Sequence, residues 1–188
     1  MSDLYALLGA ICVVLLAELG DKTMISTAIL ALKTGEFALM LAVSTSAFIL
    51  ANVIPVTVAY VLRHAIDLSS LSIIASTLFI VIGIWLLLSR DEGVRDVGKG
   101  VLACFLVVFF SEMGDKTQFA VFSYSLMLGK PVQTLVFSAL GYLLANIAGI
   151  AVIRAIGKVF PWKKIKIYSG ALMISIGIWL LISSVISK

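Results

Sequence analysis

Long apolar segments alternate with short polar turns along the whole chain. Six segments are long and apolar enough to be candidate membrane-spanning helices, since one span needs about 20 apolar residues. They cover residues 4–32, 37–62, 70–89, 99–128, 131–157 and 165–186. The turns between them carry most of the polar side chains. The pattern predicts an all-α integral membrane protein with six transmembrane helices.

The composition supports this class. Of the 188 residues, 62% are hydrophobic and 13% are charged, whereas a soluble domain is about half apolar and a quarter charged. The net charge of +4 would raise the question of nucleic-acid binding in a soluble protein. Here we attribute it to basic residues in cytoplasmic loops, because no basic stretch is interleaved with stacking aromatic residues. We expect a lipid bilayer and no nucleic acid as the surroundings.

The chain contains two copies of one three-helix unit. Glu18–Thr23 reads ELGDKT, and Glu112–Thr117 reads EMGDKT 94 positions later. The same offset aligns residues 49–52 with 143–146 and residues 82–87 with 176–181. Three helices per unit is an odd number, so the second unit enters the membrane from the opposite side, as in many secondary transporters. We expect a first repeat over residues 1–94 and an inverted second repeat over 95–188, together forming one membrane domain.

Basic residues outside the two motifs predict the orientation. The side that holds both termini has three of them, Arg63, Lys130 and Lys188, and the opposite side has nine. Because cytoplasmic loops collect Lys and Arg, the count predicts that both termini lie outside the cytoplasm.

The repeated motif places charged side chains in the middle of an apolar segment. A charge at the bilayer centre costs a few kcal/mol even on lenient scales, so it is retained where it faces a protein interior or a wet cavity. If the motif is helical, Glu18 and Asp21 share one face, and Lys22 can pair with Glu18 four residues before it. The second copy would repeat this arrangement.

We expect the two copies to face each other near the membrane midplane and to form one cation site. Their four carboxylates and two ammonium groups carry a net charge of −2 when ionised, which matches one divalent cation. Hard divalent cations such as Ca²⁺ and Mn²⁺ bind carboxylate, carbonyl and water oxygens. The predicted metal ligands are Glu18, Asp21, Thr23, Asn52, Glu112, Asp115, Thr117, Gln118 and Asn146, with the motif lysines Lys22 and Lys116 beside them.

The alternative is a structural salt-bridge network that locks two helices together. Two copies of the motif favour the ion site, because buried ion pairs contribute little to stability once desolvation is counted. The role of Gly20 and Gly114 stays open. Either each marks a helix break that frees backbone carbonyls for a cation, or each only permits close helix contact.

Two further positions flank the predicted ligands. Asn52 is followed at +3 by Pro55, and Asn146 at +3 by Gly149. This spacing indicates a ligand beside a hinge, and interhelical hydrogen bonding by the asparagines is the alternative. Met24 stands where the second copy has Gln118. A thioether ligand would favour a transition metal, although methionine more often fills gaps in a core.

The doubled motif resembles the signature Glu-x-Gly-Asp-Lys/Arg-Ser/Thr of a family of cation/proton exchangers, which carry it once in each of two inverted three-helix halves. The family includes bacterial manganese exporters of the MneA type, a Golgi calcium–manganese transporter and chloroplast manganese transporters. The resemblance covers essentially the whole chain, and neither copy departs from the pattern. It implies that Mn²⁺ or Ca²⁺ moves against protons. The length and short loops are most similar to the bacterial exporters, which implies a bacterial plasma membrane.

We therefore expect a secondary transporter that exports Mn²⁺ from the cytoplasm in exchange for protons. Ca²⁺/proton antiport and a divalent cation channel are the alternatives, and carboxylate and amide oxygens do not separate the two ions. No ATP-binding motif is present, so an ion gradient would supply the energy. An enzyme such as a lipid-phosphate hydrolase is disfavoured, because the motifs contain no histidine and the chain has no paired arginines for phosphate. We expect no cofactor besides the transported cation.

Overall fold

The computed structural model of the chain describes residues 2–88, 100–156 and 162–186. Within these ranges the chain forms eight α-helices and no strand. They are α1 Ser2–Glu18, α2 Lys22–Thr34, α3 Phe37–Ala65, α4 Leu68–Leu88, α5 Val101–Glu112, α6 Lys116–Leu128, α7 Pro131–Ile156 and α8 Trp162–Ile186. The predicted boundary between the two repeats, at residues 94 and 95, lies outside the described ranges.

Each motif is a break between two helices rather than part of one. The predicted segment 4–32 divides into α1 and α2, and the segment 99–128 divides into α5 and α6. At the breaks Gly20 has a φ of 78° and Gly114 a φ of 74°, a left-handed conformation that glycine adopts without steric cost. The open question about the glycines is therefore decided in favour of a break, and the condition of a continuous helix through the motif does not hold.

Among the described residues, four helical stretches are long and apolar enough to cross a membrane on their own. They are Phe37–Ala65, Ser70–Leu88, Pro131–Ala155 and Ile167–Ser184. Two shorter apolar helices, Leu7–Glu18 and Val101–Glu112, precede the two breaks. The predicted total of six spans therefore requires that α1 crosses together with α2, and α5 together with α6.

The motif aspartates begin the second helix of each broken pair. Asp21 and Asp115 both have extended backbone conformations, and α2 and α6 start at the next residue. The Asp21 carboxylate lies 3.5 Å from the Thr23 amide nitrogen. A carboxylate at this position satisfies free N–H groups and interacts favourably with the positive end of the helix dipole. The sequence Gly-Asp thus explains locally why the chain turns and restarts at the first break, whereas Asp115 at the second break makes no such cap hydrogen bond.

The helices pack in matched pairs between the two halves. α1 and α2 lie against α7, and the equivalent α5 and α6 lie against α3. α4 packs most extensively against its own counterpart α8. This arrangement fits a two-repeat architecture, in which the halves interlock instead of standing side by side.

Small residues bring α4 and α8 close together. A Cβ atom added to Gly83 would lie 2.7 Å from the Gly170 carbonyl oxygen, and one added to Gly177 would lie 2.8 Å from the Ser76 carbonyl oxygen. The repeat offset relates Gly83 to Gly177 and Ser76 to Gly170. The contact is therefore formed by equivalent positions of both halves, and small side chains permit this approach in a membrane.

The two halves do not adopt the same conformation. α4 packs against α6, whereas the equivalent pair, α8 and α2, forms no comparable contact among the described residues. The breaks differ as well, because Gly20 is buried and Gly114 is exposed.

Candidate cation site

The two motifs meet in the interior of the protein. Glu18 at the end of α1 and Glu112 at the end of α5 are both fully buried. One carboxylate oxygen from each of Glu18, Glu112 and Asp115 lies within 4.8 Å of the others. The breaks position these groups, because they place a helix end from each half at the same point. Three carboxylates at this spacing could hold one metal ion.

Lys116 joins the aspartates of both motifs. Its Nζ lies 2.6 Å from Asp21 Oδ1 and 3.1 Å from Asp115 Oδ2, and the residue is 3% exposed. The expected pairing of each lysine with the glutamate four residues earlier is therefore corrected for Lys116. The break after the glutamate ends the helical face that this pairing would need. Lys22, at the same motif position, is only partly buried.

The two glutamates have different hydrogen-bonding surroundings. Thr23 Oγ1 lies 3.0 Å from Glu18 Oε2 and 3.3 Å from Asp21 Oδ2, and the Thr117 hydroxyl donates to Glu18 Oε1. Neither carboxylate oxygen of Glu112 has a hydrogen-bond partner among the described residues. A buried carboxylate without partners is costly, so Glu112 is the group that gains most from a bound cation or proton.

Asn52 and Asn146 present amide oxygens from equivalent positions. Both are fully buried. Asn52 Nδ2 donates to the Phe48 carbonyl at 2.9 Å, and Asn146 Nδ2 donates to the Tyr142 carbonyl at 2.9 Å. This bond leaves Oδ1 of Asn52 without a partner in the described part of the chain, whereas the Asn146 side chain also lies within hydrogen-bonding range of the Tyr142 hydroxyl. Amide oxygens of this kind are ligands for hard divalent cations.

The Gln118 side chain is hydrogen-bonded at both of its polar atoms. Its Oε1 accepts from the Gly114 amide at 2.9 Å, and its Nε2 donates to the Ala51 carbonyl at 2.8 Å. The side chain therefore ties the second break to α3, and one of the two lone pairs of its oxygen is engaged. The expectation that Gln118 is a metal ligand stays a prediction.

Met24 and Gly149, which flank the predicted ligands, pack against each other. Met24 is fully buried in an apolar cluster that includes Ala28 and Leu30. A Cβ atom added to Gly149 would lie 2.7 Å from Met24 Cγ, so Gly149 lets α7 approach Met24. Pro55 and Gly149 both lie within uninterrupted helices.

Sequence reasoning missed a group of residues beside the site. Tyr142 and Phe48 are fully buried, and their rings stack with a centroid distance of 4.4 Å and an interplanar angle of 23°. The sequence could have indicated these two residues. Each lies four positions before a predicted asparagine ligand, and the repeat offset relates Phe48 to Tyr142. Thr27, also fully buried, lies one turn after Thr23.

Comparison with known protein families identifies the family of this chain. The family described as divalent cation/proton antiporter GDT1 matches residues 6–93 and again residues 100–188. Each matched stretch contains one copy of the motif. No curated protein and no solved structure matches the chain. The two family matches together span nearly all of the sequence, and the chain therefore belongs to the GDT1 family of divalent cation/proton antiporters.

Proposed function

We propose that this antiporter exports Mn²⁺ from the cytoplasm in exchange for protons. The observation that supports a shared site best is Glu112, which is fully buried, lacks hydrogen-bond partners among the described residues and lies beside Glu18 and Asp115. The proposed ligands are the oxygens of these carboxylates, with Asn52 and Asn146 as neutral ligands. Asp21, Thr23 and Thr117 hold the charged groups in position.

The charge balance of the site supports exchange. Lys116 neutralises part of the charge of Asp21 and Asp115, and the two glutamates remain for the cation. When the cation leaves, carboxylates face one another where water is scarce, and both effects favour protonation. The cation and protons therefore compete for the same oxygens, which couples their movements.

The broken helices suit a cation site. α1 and α5 end at the glutamates, so the negative ends of their dipoles lie near the carboxylates. The Glu18 and Glu112 carbonyls themselves accept hydrogen bonds from the Asp21 and Asp115 amides. Transporters use such discontinuous helices at the midplane between two repeats. We propose six spans, with α1–α2 and α5–α6 as the discontinuous ones, in a bacterial plasma membrane. The unequal conformations of the halves support alternating access around one fixed site.

Transport by the purified chain in proteoliposomes tests the exchange. An outward Mn²⁺ gradient should drive protons in the opposite direction, and the apparent affinity for Mn²⁺ should fall as the pH falls. Competition with Ca²⁺ and Mg²⁺ separates Mn²⁺ export from the Ca²⁺ alternative. Mn²⁺ flux without a pH change, at an affinity independent of pH, would contradict exchange and leave a channel or uniporter.

Substitution of the glutamates tests the shared site. Glu18→Gln and Glu112→Gln should each abolish transport while the protein still inserts, because each half supplies part of one site. Glu36→Gln is the matched control, since Glu36 is an exposed carboxylate between α2 and α3. Transport at the wild-type rate by either motif variant would refute a single shared site.

A further inference from the structure

A side chain of the first half holds the C-terminal end of α6 in the second half. Arg63, in the last turn of α3, donates from Nη1 to the Leu126 carbonyl and, at 2.5 Å, to the Met127 carbonyl. These two carbonyls are among the last four of α6, which have no partner within their own helix. A cation at this place also interacts favourably with the negative end of the helix dipole. Arg63 therefore joins α3 to α6 through charge-assisted hydrogen bonds.

Arg63 lies in a closely packed contact between three helices. Gly129, which follows α6, has a φ of 63°, and a Cβ atom added there would lie 2.6 Å from Arg63 Cδ. One turn earlier, the Ser125 hydroxyl lies 3.3 Å from the Val56 carbonyl of α3. A buried apolar cluster joins α3, α4 and α6 at the same end and consists of Ala59, Leu71 and Leu126. The C-terminal end of α6 is therefore enclosed by α3 and α4.

The other half has no arginine at the equivalent position. The repeat offset relates Arg63 to Gly157 and Gly129 to Gly35, and a glycine has no side chain that could donate. Within the described ranges, no atom apart from its chain neighbours lies within 4 Å of a Cβ atom added to Gly35. α2 packs against α7, but among the described residues it forms no contact with α8 comparable to that of α6 with α4. Packing common to both repeats therefore does not account for the contact that Arg63 makes.

α6 connects this contact to the proposed cation site. Its first residues, Lys116 and Thr117, contact carboxylates of both motifs, and its last carbonyls accept from Arg63. The helix is 13 residues long and uninterrupted, so its two ends move together. While Arg63 holds the carbonyls, α6 stays against α3, and a path between these helices from the site to the side that holds both termini stays closed.

We propose that Arg63 is a gate residue, which keeps the cation site closed toward the side that holds both termini and leaves the α6 carbonyls when the cation is released there. The inference rests on the proposed function, because it assumes alternating access around one fixed site. A hydrogen bond to a charged group changes an equilibrium by about tenfold, which biases two conformations without locking one of them. Arg63 is only half-buried, so water can replace the carbonyls when α6 moves. Because the other half has a glycine at this position, the two closed states are held unequally.

Thiol labelling of the full chain in membranes tests whether Arg63 closes this side. Cys12→Ser and Cys104→Ser remove the two native thiols, and Ser125→Cys then places one thiol at a fully buried position between α6 and α3. A membrane-impermeant maleimide is applied from the side on which terminal tags are accessible. Arg63→Met, which removes the donors and keeps a long side chain, should raise the labelling rate about tenfold, as expected for a lost hydrogen bond to a charged group. Arg63→Lys should keep the rate near that of wild type, because one ammonium group can donate to both carbonyls.

Two controls separate gating from a general loss of packing. Ala31→Cys places the thiol at the buried position of α2 that the repeat offset relates to Ser125, and the reagent is then applied from the opposite side. Arg63→Met should not raise the labelling rate at this position, whereas a loosened structure would raise it at both. Arg154→Met removes an arginine whose guanidinium carbon lies 5.8 Å from the centroid of the Phe37 ring, and it should leave the rate at position 125 unchanged.

Gly129→Ala decides the matter if Arg63→Met fails to insert. The added methyl group would occupy space that the Arg63 side chain fills, so the labelling rate at position 125 should rise in this variant as well. Gly35→Ala is the matched control, because both glycines have a positive φ and only Gly129 adjoins Arg63, and it should leave the rate unchanged. An unchanged rate in Arg63→Met or Gly129→Ala, or equal rises at positions 31 and 125, would overturn the inference. The proposed function fails separately, when wild-type protein shows no Mn²⁺/proton exchange or when Glu112→Gln still transports.

Discussion

At the scale of single residues, Lys22 and Lys116 show that equal motif positions need not be equal sites. Lys116 lies between Asp21 and Asp115 and is almost fully buried, whereas Lys22 is partly exposed. The glutamates differ in the same way. Both carboxylate oxygens of Glu18 accept hydrogen bonds from threonine hydroxyls, whereas those of Glu112 have no hydrogen-bond partner within the described ranges. One asymmetric centre is thus assembled from two nearly identical sequences.

Lys116→Met should therefore be far more damaging than Lys22→Met. Removing the buried ammonium leaves two carboxylates uncompensated, and the loss of one partner from a buried pair costs about 3–5 kcal/mol. Thermal unfolding in detergent and Mn²⁺ uptake measure the two effects. Equal losses in the two variants would show that the lysines exchange roles during transport, contrary to this prediction.

At the scale of elements, the second helix break requires a left-handed backbone conformation at Gly114. Gly114 has a φ of 74°, and within the described ranges no atom apart from its chain neighbours lies within 4 Å of a Cβ atom added there. A substitution would therefore act through the backbone alone. The break in turn sets where α5 ends and α6 begins, and so where Glu112 and Asp115 lie.

Gly114→Ala should reduce both stability and transport, and Gly114→Asn should do less harm. A residue with a side chain costs about 1–2 kcal/mol in the left-handed region, which asparagine tolerates best. Gly35→Ala is a matched control, because Gly35 has a φ of 76° and equally open surroundings at the end of α2. It should lose similar stability, measured by thermal unfolding, and keep transport. Full transport by Gly114→Ala would show that the break is not needed.

At the scale of the whole molecule, the halves interlock through equivalent contacts but differ in conformation. α4 packs against α6 without a comparable contact between α8 and α2 in the described part of the chain. A shared site between two repeats cannot open equally to both sides without leaking, so transport by alternating access requires such inequality.

The proposed topology predicts that both termini face away from the cytoplasm. Tags added beyond residues 1 and 188 should both be accessible on intact cells, because the basic residues outside the motifs concentrate on the opposite side. Two cytoplasmic tags would reverse the orientation. Tags on opposite sides would contradict the even number of spans and the inverted repeat.

Much of this architecture could be predicted from the sequence. Apolar segments indicate membrane helices, because a span must be about as long as the bilayer core is thick and must be mostly apolar. The four long segments are indeed helices close to the predicted bounds. The doubled motif indicated the two repeats and the family, since charges inside an apolar segment are costly and therefore conspicuous.

The sequence by itself thus determined the membrane class, the two-repeat plan and the polar residues that meet in the interior, because each leaves a local trace in composition or spacing. Only the tertiary structure decided that Gly20 and Gly114 break their helices, that Gln118 ties one break to α3 and that Lys116 joins both aspartates. The last two features depend on which helices meet. A repeated sequence predicts equivalent partners for its two copies, whereas the folded halves take different conformations around one site, and that difference sets which carboxylate remains unpaired.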